Sequence, residues 1–343
     1  MGGLTLNQNL SDSRRTRVFS GIQPTGEAHV GNYFGAIRNW VAQQDEFESF
    51  FCIVDLHAMT LPWTPAELGA STLAKAAELI ACGIDPSRSV VFVQSHVAAH
   101  SELAWILQCV ARMGELRRMV QFKEKSKGDT ESVGVGVFTY PVLQAADVLL
   151  YQAHGVPVGE DQRQHIELMR DLAIRFNSAF GDTFVVPEAW IPPADLLIFW
   201  AASSNDMIRA PAGRPQASIQ LVDPPEAIVK KIKSAVTDSG SQVSAGPDKP
   251  ELSNLLMLMS LTVDRPVQDL EREFSGGGYG AFKQALADAL IDRLSPIRER
   301  FHELMGDRTE LERTLEQGAS TAASEAEATM RKVWANVGLG TRR

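Results

Sequence analysis

The chain has 343 residues, enough for a large core and two domains, and its 44% hydrophobic and 22% charged residues are typical of globular proteins. Acidic residues outnumber basic ones by 42 to 33, and the net charge of −9 argues against coating nucleic acid without sequence preference. One folded RNA can still dock on a local basic patch. The mean hydropathy is −0.10, and no run approaches the ~18 apolar residues of a membrane helix, which excludes a transmembrane protein. A reducing, cytoplasmic location is favoured by three cysteines without metal or disulfide spacing, namely Cys52, Cys82 and Cys109.

Residues 1–16 are polar and lack the apolar core of a signal peptide, so we expect a flexible tail and no export. Short β-rich runs then alternate with stretches of helical apolar spacing. The predicted strands are Val18–Ile22, Phe50–Leu56 and Val90–Gln94, and the predicted helices are Asn32–Gln44 and Thr64–Ala81. This alternation predicts an α/β fold with a doubly wound parallel sheet. Ligands of such sheets bind at the carboxyl ends of strands, here the loops after Gly21, Asp55 and Gln94.

The second half of the chain is mostly helical. A helix is predicted at Asp161–Phe176, followed by a strand at Thr183–Val186 that Pro187 ends, and the residues after Pro224 have a helical pattern broken at Gly276–Gly278. We therefore expect a sheet domain over 17–222, with a helical insertion over 97–180. A helical domain over 223–343 follows, with its last helix packing back on the first domain.

The first motif runs from Gly21 to Asn32, directly after a predicted strand. Its glycines and proline suit a tight turn, and the helix beginning near His29 offers backbone N–H groups and an imidazole to an anion. An ordinary turn explains the same residues. The Gly-Lys-Ser/Thr phosphate loop and the dinucleotide Gly-x-Gly-x-x-Gly are both absent, so nucleotide binding here needs another mode.

The second motif is Thr139–Tyr151, in which Pro141 suits the first turn of a helix. Asp147 shares the apolar face of that helix, where a carboxylate is costly without a partner. It is therefore either a salt-bridged acid of the core or a specificity residue that accepts a hydrogen bond from a ligand N–H.

The third motif is Val156–His165, where Gly159 permits close approach and Asp161 and Gln162 can hold a ribose or an ammonium; a plain helix start is the alternative. His96 and His100 have i, i+4 spacing without the glutamate of a metalloprotease, and we expect no metal site there. Basic clusters at 112–127 and 230–233 are typical of solvated helix faces.

Taken together, these segments resemble the bacterial tryptophanyl-tRNA synthetases, which are class I aminoacyl-tRNA synthetases. Pro24–Asn32 is similar to the "HIGH" signature of that class in its tryptophanyl form. Further matching blocks are Val54–Ala58, Gln121–Ser126, Thr139–Tyr151, Val158–Leu168 and Lys230–Ser239. Tyrosyl-tRNA synthetases are the nearest relatives, but Gly-Glu-Asp-Gln and the Ala-Ala-Asp block favour the tryptophanyl branch.

The resemblance implies a class I Rossmann-type fold, and a two-step reaction in which L-tryptophan and ATP–Mg²⁺ give tryptophanyl-adenylate, followed by transfer to tRNA(Trp). It also implies a cytoplasmic homodimer whose helical domain reads the anticodon. The tryptophan pocket would comprise Phe19, Gly21, His57, Tyr140, Asp147, Val156, Val158 and Gln162, with Asp147 accepting the indole N–H. ATP would contact Gln23, Pro24, Thr25, Gly26, His29, Gly31, Asn32, Gly159, Glu160, Asp161 and Met207. The catalytic residues would be His29, Asn32, Lys125 and Arg209, without a protein-bound metal.

One block of the family is missing. The family carries Lys-Met-Ser-Lys-Ser before the helical domain, whereas the corresponding interval Ile191–Glu226 lacks it. Its place falls on Met207–Pro211, or on Asp206–Ala210 after a shift of one residue. Loss of one preorganised charge typically costs ~10²–10³ in rate, which Arg209 or Arg214 would offset only in part. Three accounts fit: a working synthetase with an unusual loop, an impaired paralogue that binds tryptophan in a regulatory or resistance role, or a local reading-frame artefact.

Overall fold

The computed structural model describes residues 15–119, 134–159, 162–190, 218–237, 240 and 242–340. Within them, five parallel strands form one sheet in the order β3-β2-β1-β4-β5. The strands are β1 Arg17–Ile22, β2 Glu48–Ile53, β3 Val90–Val93, β4 Gly155–Pro157 and β5 Glu188–Trp190. The predicted α/β fold with a parallel sheet is confirmed. Three strands are found near their predicted positions, but the second ends at Ile53, and Asp55 and Leu56, predicted to belong to it, are helical.

Helices cover both faces of this sheet. After β1, α1 (Val30–Asn32) continues through a π-helical turn, Tyr33–Ile37, into α2 (Arg38–Gln43). The next helices are α3 Asp55–Ala58, α4 Pro65–Ala81, α5 Ala99–Val110, α6 Met113–Arg118, α7 Val135–Leu149 and α8 Arg163–Phe180. The last five are α9 Pro225–Ser234, α10 Pro250–Val263, α11 Val267–Glu273, α12 Gly278–Gly306 and α13 Arg308–Val337. No helix among the described residues is both long and apolar enough to cross a membrane.

The strand predicted at Thr183–Val186 is wrong, because its backbone donors bond to side chains instead of a neighbouring strand. Asn177 Oδ1 accepts from the backbone N–H groups of Thr183 and Phe184, at 3.1 and 2.9 Å, and Gln152 Oε1 accepts from that of Val185 at 2.8 Å. The strand forms only after Pro187, as β5.

The expectation that Pro141 lies in the first helical turn is also wrong. The helix α7 begins at Val135, so Pro141 lies in its interior. Val137 and Tyr140, which precede the proline, are already helical and buried. Their packing favours the longer helix despite the backbone donor that proline lacks.

The two faces of the sheet belong to two different hydrophobic clusters, because side chains alternate along a strand. On β2, Phe50 and Cys52 lie in one cluster with residues of α5, α7 and α8. Phe51 and Ile53 lie in the other, with α4 and most of the helices after residue 222. The second cluster is continuous across the predicted boundary at residue 222, and the division into two domains there stays a prediction.

The last helix, α13, joins the two clusters. Its first turns place Leu311 and Leu315 in the cluster of α4, whereas its later residues, from Ala319 onward, belong to the cluster of α5 and α7. Between them, Gly318 lies against the backbone of β3, the edge strand of the sheet. Hydrogen bonds from Trp334 to Glu102, 3.0 Å, and from Gln152 to Thr329, 3.2 Å, fix the distal half.

The contact at Gly318 predicts a loss of stability in Gly318→Ala. A Cβ atom there would lie 1.9 Å from the carbonyl oxygen of Val91, a backbone atom that cannot rotate away. We expect the free energy of unfolding to fall by about 1–3 kcal/mol, the usual cost of overpacking, as measured by urea denaturation.

The matched control is Gly69→Ala, inside α4, where a Cβ meets no atom within 4 Å. Alanine favours an exposed helix over glycine by about 0.5–1 kcal/mol, so this variant should gain stability. Equal stability changes in the two variants would contradict close packing of α13 on β3.

Candidate active site

The loops after β2 and β3 meet at the carboxyl edge of the sheet, as the fold class predicts. The backbone N–H of Leu56 donates to Gln94 Oε1 at 3.1 Å, and that of Ser95 donates to Asp55 Oδ1 at 3.0 Å. The side chains of Asp55 and Gln94 therefore each bind the backbone of the opposite loop. Their loops form one wall of a site.

The turn after β1 forms the second wall. Gly26 has a φ of +69°, which favours glycine, and a Cβ on Gly21 would lie 3.1 Å from Val54. His29 caps α1: its Nδ1 accepts from the N–H of Gly31, and Asn32 Oδ1 accepts from the N–H of His29, both at 3.1 Å. Because Nδ1 accepts, the proton of a neutral ring lies on Nε2, where it can serve as a donor.

A buried ion pair on α4 holds this turn in place. Lys75 and Glu78 of α4 are 2.5 Å apart and nearly inaccessible, and the second oxygen of Glu78 accepts from the N–H of Ala28 at 3.0 Å. The residue before His29 is thus fixed by a carboxylate fifty positions away. Our sequence reasoning missed this pair; an i, i+3 Lys–Glu pair inside the apolar stripe of Thr64–Ala81 was the available signal.

The segment 218–223 holds the turn from the other side. It runs antiparallel to residues 28–30, with hydrogen bonds from Leu221 to Ala28, 2.8 Å, and from Val30 to Ile219, 3.0 Å. Lys231 of α9 donates to the carbonyl of Ser218 at 2.8 Å and to the Asp223 carboxylate at 2.6 Å.

The prediction that the cluster 230–233 forms a solvated face is therefore wrong for Lys231. Its ammonium group lies in an internal ion pair with Asp223, and both side chains are largely buried. The sequence shows a helix rich in lysine at this position but not the carboxylate eight residues earlier that folds back on it.

Asp147 is the most constrained group of the site. It is 2% exposed, and three side chains approach its carboxylate: His57 Nε2 at 2.8 Å on Oδ2, with Gln94 Nε2 at 2.6 Å and His100 Nδ1 at 2.7 Å on Oδ1. Burial raises the pKa of Asp147, but the hydrogen bonds from His100 and His57 outweigh it and hold the pKa well below its ordinary value. Asp147 is therefore a fully partnered, ionised acid of the core. That alone does not assign it a ligand.

The other residues expected in the amino-acid pocket surround Asp147 to different degrees. Tyr140 precedes Asp147 on the same helix, α7, and the centroid of its ring is 6.2 Å from that of the His57 ring. Phe19, Val156 and Val158 share the hydrophobic cluster of α5 and α7. Gln162 lies at the start of α8, where its N–H donates to the carbonyl of Gly159 at 3.0 Å.

Five predicted site residues lie outside the described residues: Lys125, Glu160, Asp161, Met207 and Arg209. In the described part of the chain, no group of three or more His, Cys, Asp or Glu residues is placed to hold a metal ion. His100, expected not to bind a metal, bonds instead to Asp147 and Tyr151.

Comparison with known proteins identifies the family. The family described as "tRNA synthetases class I (W and Y)" matches residues 11–295. The tryptophan–tRNA ligase of Mycobacterium leprae is 49% identical over 94% of this chain and 96% of its own length. That of Caldanaerobacter subterraneus is 48% identical over 94% of this chain and 98% of its own.

Solved structures agree. A tryptophanyl-tRNA synthetase from Campylobacter jejuni, complexed with ADP and tryptophan, superposes with a TM-score of 0.80 at 34% identity, over 94% of this chain and all of that one. The enzyme from Mycoplasma pneumoniae gives 0.82 at 30% identity, over 95% of this chain and 98% of its own. With the parallel sheet and the His29 turn at its carboxyl edge, these matches show that the chain belongs to the class I tRNA synthetases of the tryptophan and tyrosine group.

Proposed function

We propose that this protein activates L-tryptophan with ATP and transfers it to tRNA(Trp). The observation that carries the choice of amino acid is the buried, ionised carboxylate of Asp147, placed beside His57 at the carboxyl edge of the sheet. Support comes from relatives named tryptophan–tRNA ligase that match over nearly their whole length.

Asp147 selects tryptophan by accepting the indole N–H. Phenylalanine has no donor to offer, so its binding leaves a buried charged acceptor without that partner. A site built around a hydrogen bond rejects an analogue lacking the donor far more strongly than an apolar pocket rejects a missing methylene. We place the side chains of Phe19, Tyr140, Val156 and Val158 and the backbone of Gly21 in the walls of the pocket, with Gln162 at its rim.

ATP binds along the turn after β1. The contacts we assign to it are Gln23, Pro24, Thr25, Gly26, His29, Gly31, Asn32 and Gly159, together with Glu160, Asp161 and Met207. Mg²⁺ arrives with ATP and is held mainly by the phosphates themselves. The capping bonds of His29 and Asn32 preorganise both side chains before ATP arrives.

The reaction needs no covalent enzyme intermediate. An oxygen of the tryptophan carboxylate attacks the α-phosphorus, and the bond to the departing pyrophosphate breaks; a ribose hydroxyl of the tRNA then attacks the activated carbonyl and releases AMP. Donors aimed at the developing phosphate charge stabilise the first step. His29 Nε2 supplies one, and Lys125 and Arg209 are our candidates for the others.

Partners and location complete the proposal. The helices after residue 222 read the anticodon, and the protein works as a homodimer in the cytoplasm. The dimer is supported by apolar side chains left exposed on three helices: Trp105 of α5, which is 68% exposed, Met113 of α6 and Ile174 of α8.

The first experiment is tryptophan-dependent ATP–pyrophosphate exchange on the purified protein, with the Mycobacterium leprae relative as the benchmark. We expect exchange that depends on tryptophan, because the turn after β1 and the Asp147 cluster are complete. A rate within ~10-fold of that enzyme would mean that Arg209 or another group replaces the missing lysines. Tryptophan binding in calorimetry without exchange would favour the impaired paralogue, whose missing lysine block lowers the rate. Absence of both binding and exchange contradicts the proposal.

A second prediction concerns selectivity. In Asp147→Asn, the ratio of exchange rates with tryptophan and with phenylalanine or tyrosine should fall at least ~10²-fold, since the acceptor loses its charge and gains a donor. The fold should survive, because an amide of the same shape still bonds to the surrounding side chains. Asp85→Asn, in a surface turn, is the control, and an unchanged ratio in Asp147→Asn would contradict the assigned role.

The homodimer is tested by light scattering coupled to gel filtration. The wild type should have about twice the 37.5 kDa of one chain. Trp105→Asp should shift it toward the monomer, whereas Leu339→Asp, at an equally exposed position, should not. A monomeric wild type at micromolar concentration would contradict the dimer.

A further inference from the structure

We infer that His100 is a positioning residue for amino-acid selection, which with Tyr151 holds Asp147 so that only Oδ2 is left to accept a ligand N–H. The inference rests on the proposed function, because it concerns how the same pocket recognises its ring. It assigns a role to a residue that neither the first motif nor the pocket residues include.

The hydrogen bonds around Asp147 are unequally shared between its two oxygens. Oδ1 accepts from both Gln94 and His100, whereas His57 is the one donor to Oδ2 among the residues that the structure describes. A carboxylate oxygen offers about two acceptor positions, so Oδ1 is saturated by the protein. The position left for a ligand is on Oδ2, beside the ring of His57.

The direction of the bonds through His100 follows from the chemistry of its partners. An ionised carboxylate only accepts, so His100 Nδ1 is the donor to Asp147. In the neutral ring Nε2 is then an acceptor, and the Tyr151 hydroxyl, 2.7 Å away, donates to it. Burial raises the pKa of Tyr151, so its hydroxyl keeps the proton that this bond needs.

The far end of this chain of bonds is anchored in the sheet. Tyr151 is fully buried and stacks on Phe50 of β2 and Phe19 of β1, with ring centroids 4.7 and 5.7 Å apart. His100 itself is 0% exposed. Neither ring has room to turn, so the orientation of the Asp147 carboxylate is set by the core and not by the ligand.

Loss of His100 should therefore lower the preference of the pocket for a ligand with an N–H group, for two reasons. Oδ1 regains an acceptor position, so the carboxylate can rotate and present either oxygen. A buried carboxylate with fewer donors also takes up a proton more readily, and a neutral carboxyl group no longer rejects a ring that lacks N–H. Both effects weaken discrimination for the N–H and leave the ATP contacts unchanged.

The test is the ratio of dissociation constants for tryptophan and for its benzothiophene analogue, in which sulfur replaces the indole N–H, measured by calorimetry. The wild type should prefer tryptophan strongly. In His100→Leu we expect this preference to fall at least ~10-fold, while the dissociation constant for ATP stays within ~2-fold. Binding is used as the readout because it does not depend on the rate of activation.

Two further variants separate the bonds. In His100→Asn, the amide lies near the place of Nδ1 and keeps a donor for Asp147 but loses the bond to Tyr151, so the preference should fall by only ~3-fold, less than in His100→Leu. Tyr151→Phe removes only the hydroxyl at the far end and should lower the preference by ~3-fold. It keeps the inference testable if His100→Leu fails to fold.

Leu79→Ala is the control for a purely structural role of His100, because it destabilises the hydrophobic cluster on the opposite face of the sheet. This variant should lower the melting temperature without changing the preference. If His100→Leu or Tyr151→Phe behaves in the same way, the inference is overturned. If the wild type binds tryptophan no better than the analogue, or binds neither, the proposed function fails first.

Discussion

A charge buried in a protein must be surrounded by donors, and this requirement organises the pocket. The carboxylate of Asp147 has almost no contact with water, so the chain brings His57 from α3, Gln94 from the end of β3 and His100 from α5 to reach it. The three donors come from three different elements of secondary structure. The packing of α7 on α5 and over the ends of β2 and β3 is thereby fixed to within the tolerance of a hydrogen bond.

The turn after β1, where we place ATP, is held in place differently from Asp147. The turn holding His29 buries Ala28 and Val30 in the cluster of α4, and polar groups hold it on two further sides, namely the Glu78 carboxylate and the segment 218–223. That segment is in turn held by Lys231 of α9 and by Arg298 of α12, whose guanidinium donates to the carbonyl of Asp223. The helices after residue 222 are therefore mechanically connected to the turn where we place ATP.

The sequence predicts most of the sheet and the local shape of the motifs, because strand alternation, glycine turns and helix caps are local signals. The helical spacing places Asp147 on an apolar face, where a carboxylate needs a partner, and this prediction is confirmed. Its partners are 47 to 90 residues away in the chain, and local patterns contain no information about such separations. The same limit explains Lys231, whose ion pair needs a chain reversal. The apolar pattern at Thr183–Val186 predicts a strand, but the side chains of Asn177 and Gln152 accept hydrogen bonds from the backbone N–H groups that a neighbouring strand would need.

The position of α13 has a consequence for synthesis on the ribosome. The outer backbone edge of β3 is covered by this helix at Gly318, yet β3 leaves the ribosome more than two hundred residues earlier. Until α13 emerges, the nascent sheet presents an unpaired edge and two open apolar clusters, which are the surfaces that promote aggregation and that chaperones recognise. Native folding of the sheet is thus completed only after α13 has been translated, and translation products that stop before α13 keep this edge and these clusters uncovered.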